Sequence, residues 1–166
     1  EGGTPFAGQD VFAVHRLSSR GHWVVPIITP DFGALRLMTY HATPPVYDGP
    51  EDRNGRRNHD ENAFWLNYLK NDNSPLPFIL AGTSNTDPKR GDGRPEAMNA
   101  LLAHSKLQNP FDDSPTADFK EPKPGDLRVD YLMPSLDWQV LDHGSLSTLD
   151  ASRHSLLWVD IKPRNP

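Results

Sequence analysis

Few side chains in this sequence are of types that carry acid–base, phosphate or metal chemistry, and their spacing first excludes. The seven histidines, His15, His22, His41, His59, His104, His143 and His154, show no H-x-x-x-H or H-E-x-x-H spacing, so no helix presents a zinc pair. No G-x-S-x-G elbow supports a Ser/His/Asp hydrolase. With no Cys, thiol catalysis, disulfides and thiolate metal sites fall together. The run "DPKRGDG" (87–93) resembles a calcium loop superficially but lacks the D-x-D-x-D-G spacing and the distal Glu. Arg53, Arg56 and Arg57 form the most basic local cluster, suited to phosphate contact or to a solvated loop. The junction "FILAGTSN" (78–85) is where an α/β protein commonly holds its chemistry over a crevice. Its turn, however, offers Thr83, Ser84 and Asn85, with no acid or base before Asp87.

The elements that must position these residues follow from pattern. With 166 residues and 36% hydrophobic content the chain fits one domain with a real core. Its 17 Pro imply many or long loops. The net charge of −5 excludes a protein that grips nucleic acid through overall charge. No apolar run reaches the roughly 18–20 residues of a membrane span. "VFAVHRL" (11–17) and "HWVVPII" (22–28) are predicted as strands joined by a hairpin-like turn at Ser18–Gly21, and "ALRLMTY" (34–40) as a third. "DGPEDRNGRRN" is predicted as a polar loop. A helix follows over 59–71, with Asn58 and Glu61 at the spacing of a capping box. A strand over 77–82, a helix over 95–104 with Pro95 in its first turn, and a Pro-rich loop over 109–126 come next. Strands at 128–133, 138–141 and 155–161 complete about seven strands and two helices. The fold class is α/β (α+β), a mixed sheet covered by helices. Residues 1–9 are expected to be loose, 10–162 to form the domain and 163–166 a tail.

Four segments, "TYHATPPVYDGPEDRNGRRNHDE", "FILAGTSNTDPKRGDGRPEAMNALL", "RVDYLMPSLDWQVLDHG" and "SRHSLLWVDI", occur in an order that resembles the C-terminal half of the endonuclease/exonuclease/phosphatase superfamily. The resemblance implies half of a four-layer α/β sandwich with two facing sheets, and cleavage of phosphoester bonds with a divalent cation, usually Mg²⁺. His41 in "YHATPP" matches the family's phosphate-contacting His. Asn85 matches the phosphate-binding Asn of its G-D-x-N motif. Asp130 in "RVDY" matches the Asp that orients a catalytic His, and His154 in "SRH" matches that His. Two acids are missing: Thr83 stands where the family has the water-orienting Asp, and Arg153 where it has a metal-associated Asp.

A Thr hydroxyl is no useful base near neutral pH, and general-base help is worth about 10²–10⁴ in rate. A guanidinium at 153 repels a hard cation that a carboxylate would favour. The family's metal-binding Glu and a further Asn belong to the half not represented, so the metal ligands are unknown from these residues. What remains, His41, Asn85 and an Asp130-oriented His154, with Arg53 and Arg56 as candidate contacts, is a set suited to holding phosphate. The implied ligand is a phosphate-containing molecule: nucleic acid, phospholipid or inositol phosphate. The sequence therefore reads as a phosphoester-hydrolase lineage with an impaired metal-dependent site. The alternative is a non-enzymatic phosphate-binding or protein-interaction module on the same fold. The chain starts at Glu1 without an initiator Met, from which we expect a removed segment or a longer parent. The implied sandwich leads us to expect that a second, N-terminal half chain or self-association completes it. The resemblance to exported bacterial relatives implies an extracytoplasmic location.

Overall fold

A computed structural model describes residues 8–18, 20–120, 124–147 and 150–164. In chain order these form α1 (Gln9–Phe12), β1 (His22–Thr29), β2 (Gly33–His41), α2 (Arg53–Asn71), β3 (Phe78–Thr83) and α3 (Glu96–Leu102). Then come β4 (Ala117–Asp118), β5 (Asp126–Leu127), β6 (Asp130–Pro134), β7 (Trp138–Leu146) and β8 (Leu156–Pro163). The central sheet runs β1-β2-β3-β6. β1 and β2 form an antiparallel hairpin, closed where Gly33 takes a φ of +74° and its carbonyl accepts the Thr29 hydroxyl at 3.0 Å. β2 and β3 are parallel, a pairing that needs a crossover, and α2 supplies it. β6 returns antiparallel to β3, while β7 and β8 make a separate antiparallel pair. The mixed α+β sheet is therefore as expected.

One face of the sheet buries the core. Met38, Tyr40, Leu80, Tyr131 and Met133 meet Trp65 and Leu69 of α2 and Met98 and Leu101 of α3. Residues paired across a sheet share a face, and neighbours along a strand alternate. The opposite face therefore carries the rows Val25–Leu37–Ile79, Trp23–Thr39–Ala81–Leu132 and, at its end, His41–Thr83–Asp130. No layer of the described residues covers its β1 end, where Trp23 is 59% exposed and Val25 39%.

Several expectations need correction. The segment 11–17 is not a strand: Gln9–Phe12 is a helical turn, and the His15 N–H reaches the Val11 carbonyl at 2.9 Å. Its four consecutive apolar residues lack the alternation of a half-buried strand, and local bonds won over β-branched propensity. The hairpin instead joins β1 and β2. α2 begins at Arg53, six residues before the expected start, so most of the polar "loop" is helix. Asn58 and Glu61 are buried inside it rather than capping it, and Asp52, at φ +53°, is the N-cap. The Asp52 carboxylate lies over Gly55, where a Cβ would collide with it. Pro95 precedes α3 as its N-cap. The stretch 109–126 is not wholly loop, because β4 and the first residue of β5 lie within it.

Candidate functional site

The C-terminal ends of the parallel β2 and β3 and the start of β6 bring His41, Thr83 and Asp130 side by side. Beyond β3 the chain turns sharply. The Ser84 N–H bonds the Val129 carbonyl at 2.8 Å, and Asn85 sits in the left-handed region at φ +54°, which Asn tolerates. This turn aims the Asn85 carboxamide back at β2, where it donates to the Ala42 carbonyl at 2.8 Å and approaches His41 Nε2 at 3.4 Å. Gly82 is obligatory here, since a Cβ would run into the backbone carbonyl of Tyr40 on the neighbouring strand.

Asp130 is the hub. Its Oδ1 accepts the Thr83 hydroxyl at 2.6 Å, and its Oδ2 accepts His154 Nδ1–H at 2.8 Å and the Thr116 hydroxyl at 3.0 Å. Thr116 also accepts the Val129 and Asp130 N–H groups at 3.0 and 2.9 Å. Its carbonyl takes the Ser155 N–H at 2.7 Å, and Ala117 bridges to His154. Thus Thr116, in a stretch with no sequence signal, ties both partners of the Asp130–His154 pair. Phe119 sets its ring edge-on to His154 at 5.7 Å. Below the site, Asn58 donates to the Thr43 and Ser84 carbonyls at 2.8 and 2.7 Å and accepts the Thr86 hydroxyl. Asn62 accepts the Tyr40 hydroxyl at 2.7 Å. These two α2 residues lock the His41 and Asn85 loops to one another.

The structure thus joins His41, Asn85, Thr83, Asp130 and His154 in one cluster. Arg53 and Arg56 lie exposed on the first turns of α2, outside this set of contacts. Arg153 is exposed, and its carbonyl accepts the Asp118 N–H at 3.0 Å. The guanidinium that reaches His41 belongs instead to Arg20, whose Nη1 donates to His41 Nε2. Burial, followed by the charge of Arg20, holds His41 below the usual histidine range, with Asp130 pulling the other way and His154 adding to the fall. Sequence reading missed Arg20, Thr116, Asn58 and Asn62.

The donor set does not fit a Mg²⁺ ion. Both oxygens of Asp130 are already engaged, a guanidinium stands nearby, and the described residues contain no cluster of three His, Cys, Asp or Glu able to hold a metal.

The backbone arrangement identifies the fold by comparison. An endonuclease/exonuclease/phosphatase from Beutenbergia cavernae DSM 12333 superposes with a TM-score of 0.64 at 21% identity, over 87% of this chain and 39% of that one. The D. rerio TDP2 complexed with single-strand DNA product gives 0.61 at 12% identity, over 86% and 62%. The human Nocturnin catalytic domain with bound sulfate anion gives 0.59 at 16%, over 88% and 54%. The chain has the endonuclease/exonuclease/phosphatase fold. It spans between 39% and 62% of these three neighbours' lengths. No protein-family model and no curated protein matches the sequence.

Proposed function

We propose that this chain is the C-terminal portion of a phosphoester-hydrolase-lineage domain whose pocket binds a phosphate-containing ligand but is poorly equipped for metal-dependent hydrolysis. The observation that carries this reading is the short bond from the Thr83 hydroxyl to Asp130. Where the family resemblance calls for a carboxylate to take a proton from water, this chain has a hydroxyl that donates a hydrogen bond to Asp130. Asp130 in turn fixes the His154 ring through Nδ1 at the edge of the pocket. Asn85 adds a neutral amide donor beside it, next to the His41 ring. Neighbours of this fold include one solved with a sulfate anion and one with a DNA product, in keeping with an oxyanion pocket.

The open sheet face supports the second half of the proposal. Trp23, Val25, Leu37, Ile79 and Leu132 form an apolar row leading to the site, and a sheet packed on it would form the pocket's other wall. That layer would be supplied by another part of the polypeptide or by a second chain.

Hydrolysis of a chromogenic phosphodiester with and without Mg²⁺ tests the reading. The expected result is weak turnover that Mg²⁺ does not stimulate, and a gain of Mg²⁺-dependent turnover in the Thr83→Asp/Arg153→Asp double variant. Strong Mg²⁺-dependent turnover by the unaltered chain would refute it. Light scattering tests the covering layer: a compact monomer of this chain that exposes no dye-binding apolar surface would count against it.

A further inference from the structure

Arg20 belongs to an irregular segment between α1 and β1, yet several contacts fix its place. Arg57 of α2 donates Nε to the Leu17 carbonyl at 2.9 Å and Nη2 to the Arg16 carbonyl at 3.1 Å. The Ser18 hydroxyl accepts the Gly21 N–H at 2.8 Å. Gly21 adopts φ +107°, and a Cβ there would strike the Trp23 indole. The chain is thereby turned so that the Arg20 guanidinium lands on His41 Nε2. Asn85 Nδ2 approaches the same nitrogen at 3.4 Å. Two N–H donors aimed at one ring nitrogen match a neutral His41 that presents its Nε2 lone pair and carries its proton on Nδ1.

An oxyanion suits this arrangement better than the imidazole does. Arg20 and Asn85 are donors under all conditions, and His41 becomes a third once Nε2 takes a proton. We propose that Arg20, His41 and Asn85 form an oxyanion clamp for a tetrahedral dianion of the phosphoryl class, with Arg20 as its permanent cation and one proton taken up on His41 Nε2 from solvent as the anion binds. This rests on the reading of the pocket as phosphate-binding and adds what supplies the positive charge. A guanidinium presents paired donors to tetrahedral oxygens and keeps its charge at any relevant pH. The groups facing His41 are Arg20 before β1, Asn85 after β3, Asp130 on β6 and His154 before β8. Without an anion's charge the balance among them disfavours the imidazolium, and a dianion reverses it. Arg57, by contrast, touches no ligand; it is a positioning residue that holds the carbonyls leading to Arg20.

Sulfate is the suitable probe, because its charge does not change across the pH range in which histidine titrates. Titration calorimetry on the full protein, in buffers of different ionisation heat, reads both affinity and proton uptake. Arg20→Ala should weaken sulfate binding by about tenfold or more, since a charge-assisted pair is lost, with Arg20→Lys recovering part of it. Arg57→Ala should weaken it less while keeping the same ion-pairing group. Wild-type affinity should rise as pH falls toward the lowered range of His41, with up to one proton bound per anion, and His41→Gln should abolish that slope. Arg20 is exposed, so its variants should fold, as circular dichroism would verify. If Arg20→Ala binds sulfate as wild type does while Asn85→Ala does not, the clamp is wrong and the pocket reading survives. If wild type fails to bind sulfate at all, both fall. A pH-independent wild-type affinity overturns the His41 part.

Discussion

Placing the missing acid back is a sharp physical test of the cluster, because the structure says what that acid would meet. The Thr83 Oγ1 lies 2.6 Å from Asp130 Oδ1, so in Thr83→Asp two carboxylates would sit with charge centres about 4 Å apart. At an effective dielectric near 20 their repulsion is about 4 kcal/mol, equivalent to about three pK units. The site is half-buried, and solvent and rotamer relaxation should halve this to roughly 2 kcal/mol. One carboxyl of the pair then keeps its proton in the folded state at pH values where the unfolded chain has lost it. The folded protein binds more protons over that interval, so stability falls as pH rises from about 4 to about 6 and stays low above it. A pH-independent loss of about 1 kcal/mol from the missing Thr83 hydrogen bond adds to this. Urea unfolding of wild type and variant across that range measures the difference. Mg²⁺ should restore part of the loss only in the variant, since a cation between two carboxylates relieves their repulsion. A difference between the two proteins that does not change with pH would refute the geometry, because it would mean that the residue at 83 does not face Asp130.

Three further outcomes follow from the same contacts. Gly82→Ala should cost about 1–3 kcal/mol in urea unfolding, since the new Cβ meets the Tyr40 carbonyl, a backbone atom that cannot turn away. Asn58→Ala should cost about 2–4 kcal/mol and loosen the turn at 83–86 to hydrogen exchange, because it removes a donor from the Thr43 and Ser84 carbonyls and the acceptor of the Thr86 hydroxyl. His22 is held below the usual histidine range by burial, partly offset by the Glu61 carbonyl and carboxylate. Its unfolded form gains a proton that its folded form resists, so stability falls as pH drops below about 6.5, and His22→Phe should flatten that slope in thermal melts.

The parts of the fold legible in sequence were those whose signal is local. "FILAGT" reads as a strand because its apolar run is short and bounded by Pro77 and a polar turn, and it is one. "RVDYLM" and "SLLWVDI" are recognisable for similar reasons, although β6 starts two residues later than expected and β8 one. The start of α2 was hidden because Arg53–Asn58 is polar and contains Gly55, a composition shared with loops; only the Asp52 side chain lying over Gly55 shows why glycine is used. Asn58 and Glu61 looked like a cap because spacing alone cannot distinguish a helix end from a buried polar stripe. Within the site, His41, Asn85, Asp130 and His154 were nameable from the motifs they match. Arg20 and Thr116 were not, because their roles depend on contacts across 21 and 14 residues that no spacing encodes. Arg57 was noticed for its charge, yet besides Glu61 one turn on it holds two backbone carbonyls some 40 residues earlier.

The two departures from the family pattern make more sense together than apart. A site that lost only the acid at 83 would still attract a dication and would hold it badly. A site that lost only the acid at 153 would keep two facing carboxylates, at 83 and at Asp130, with less to hold a cation between them. Losing both acids lowers the local negative charge by two, about what losing a divalent cation would require for balance. Asp130 is then spared as the one carboxylate, and each of its oxygens has a donor: Thr83 on one side, His154 and Thr116 on the other. On the proposed clamp, a phosphoryl dianion entering this cluster would meet Arg20, Asn85 and an imidazole able to take a proton. On the reading proposed above, such a site stabilises negative charge on a bound ligand rather than activating water. The same reading predicts that restoring one acid alone damages binding without recovering turnover.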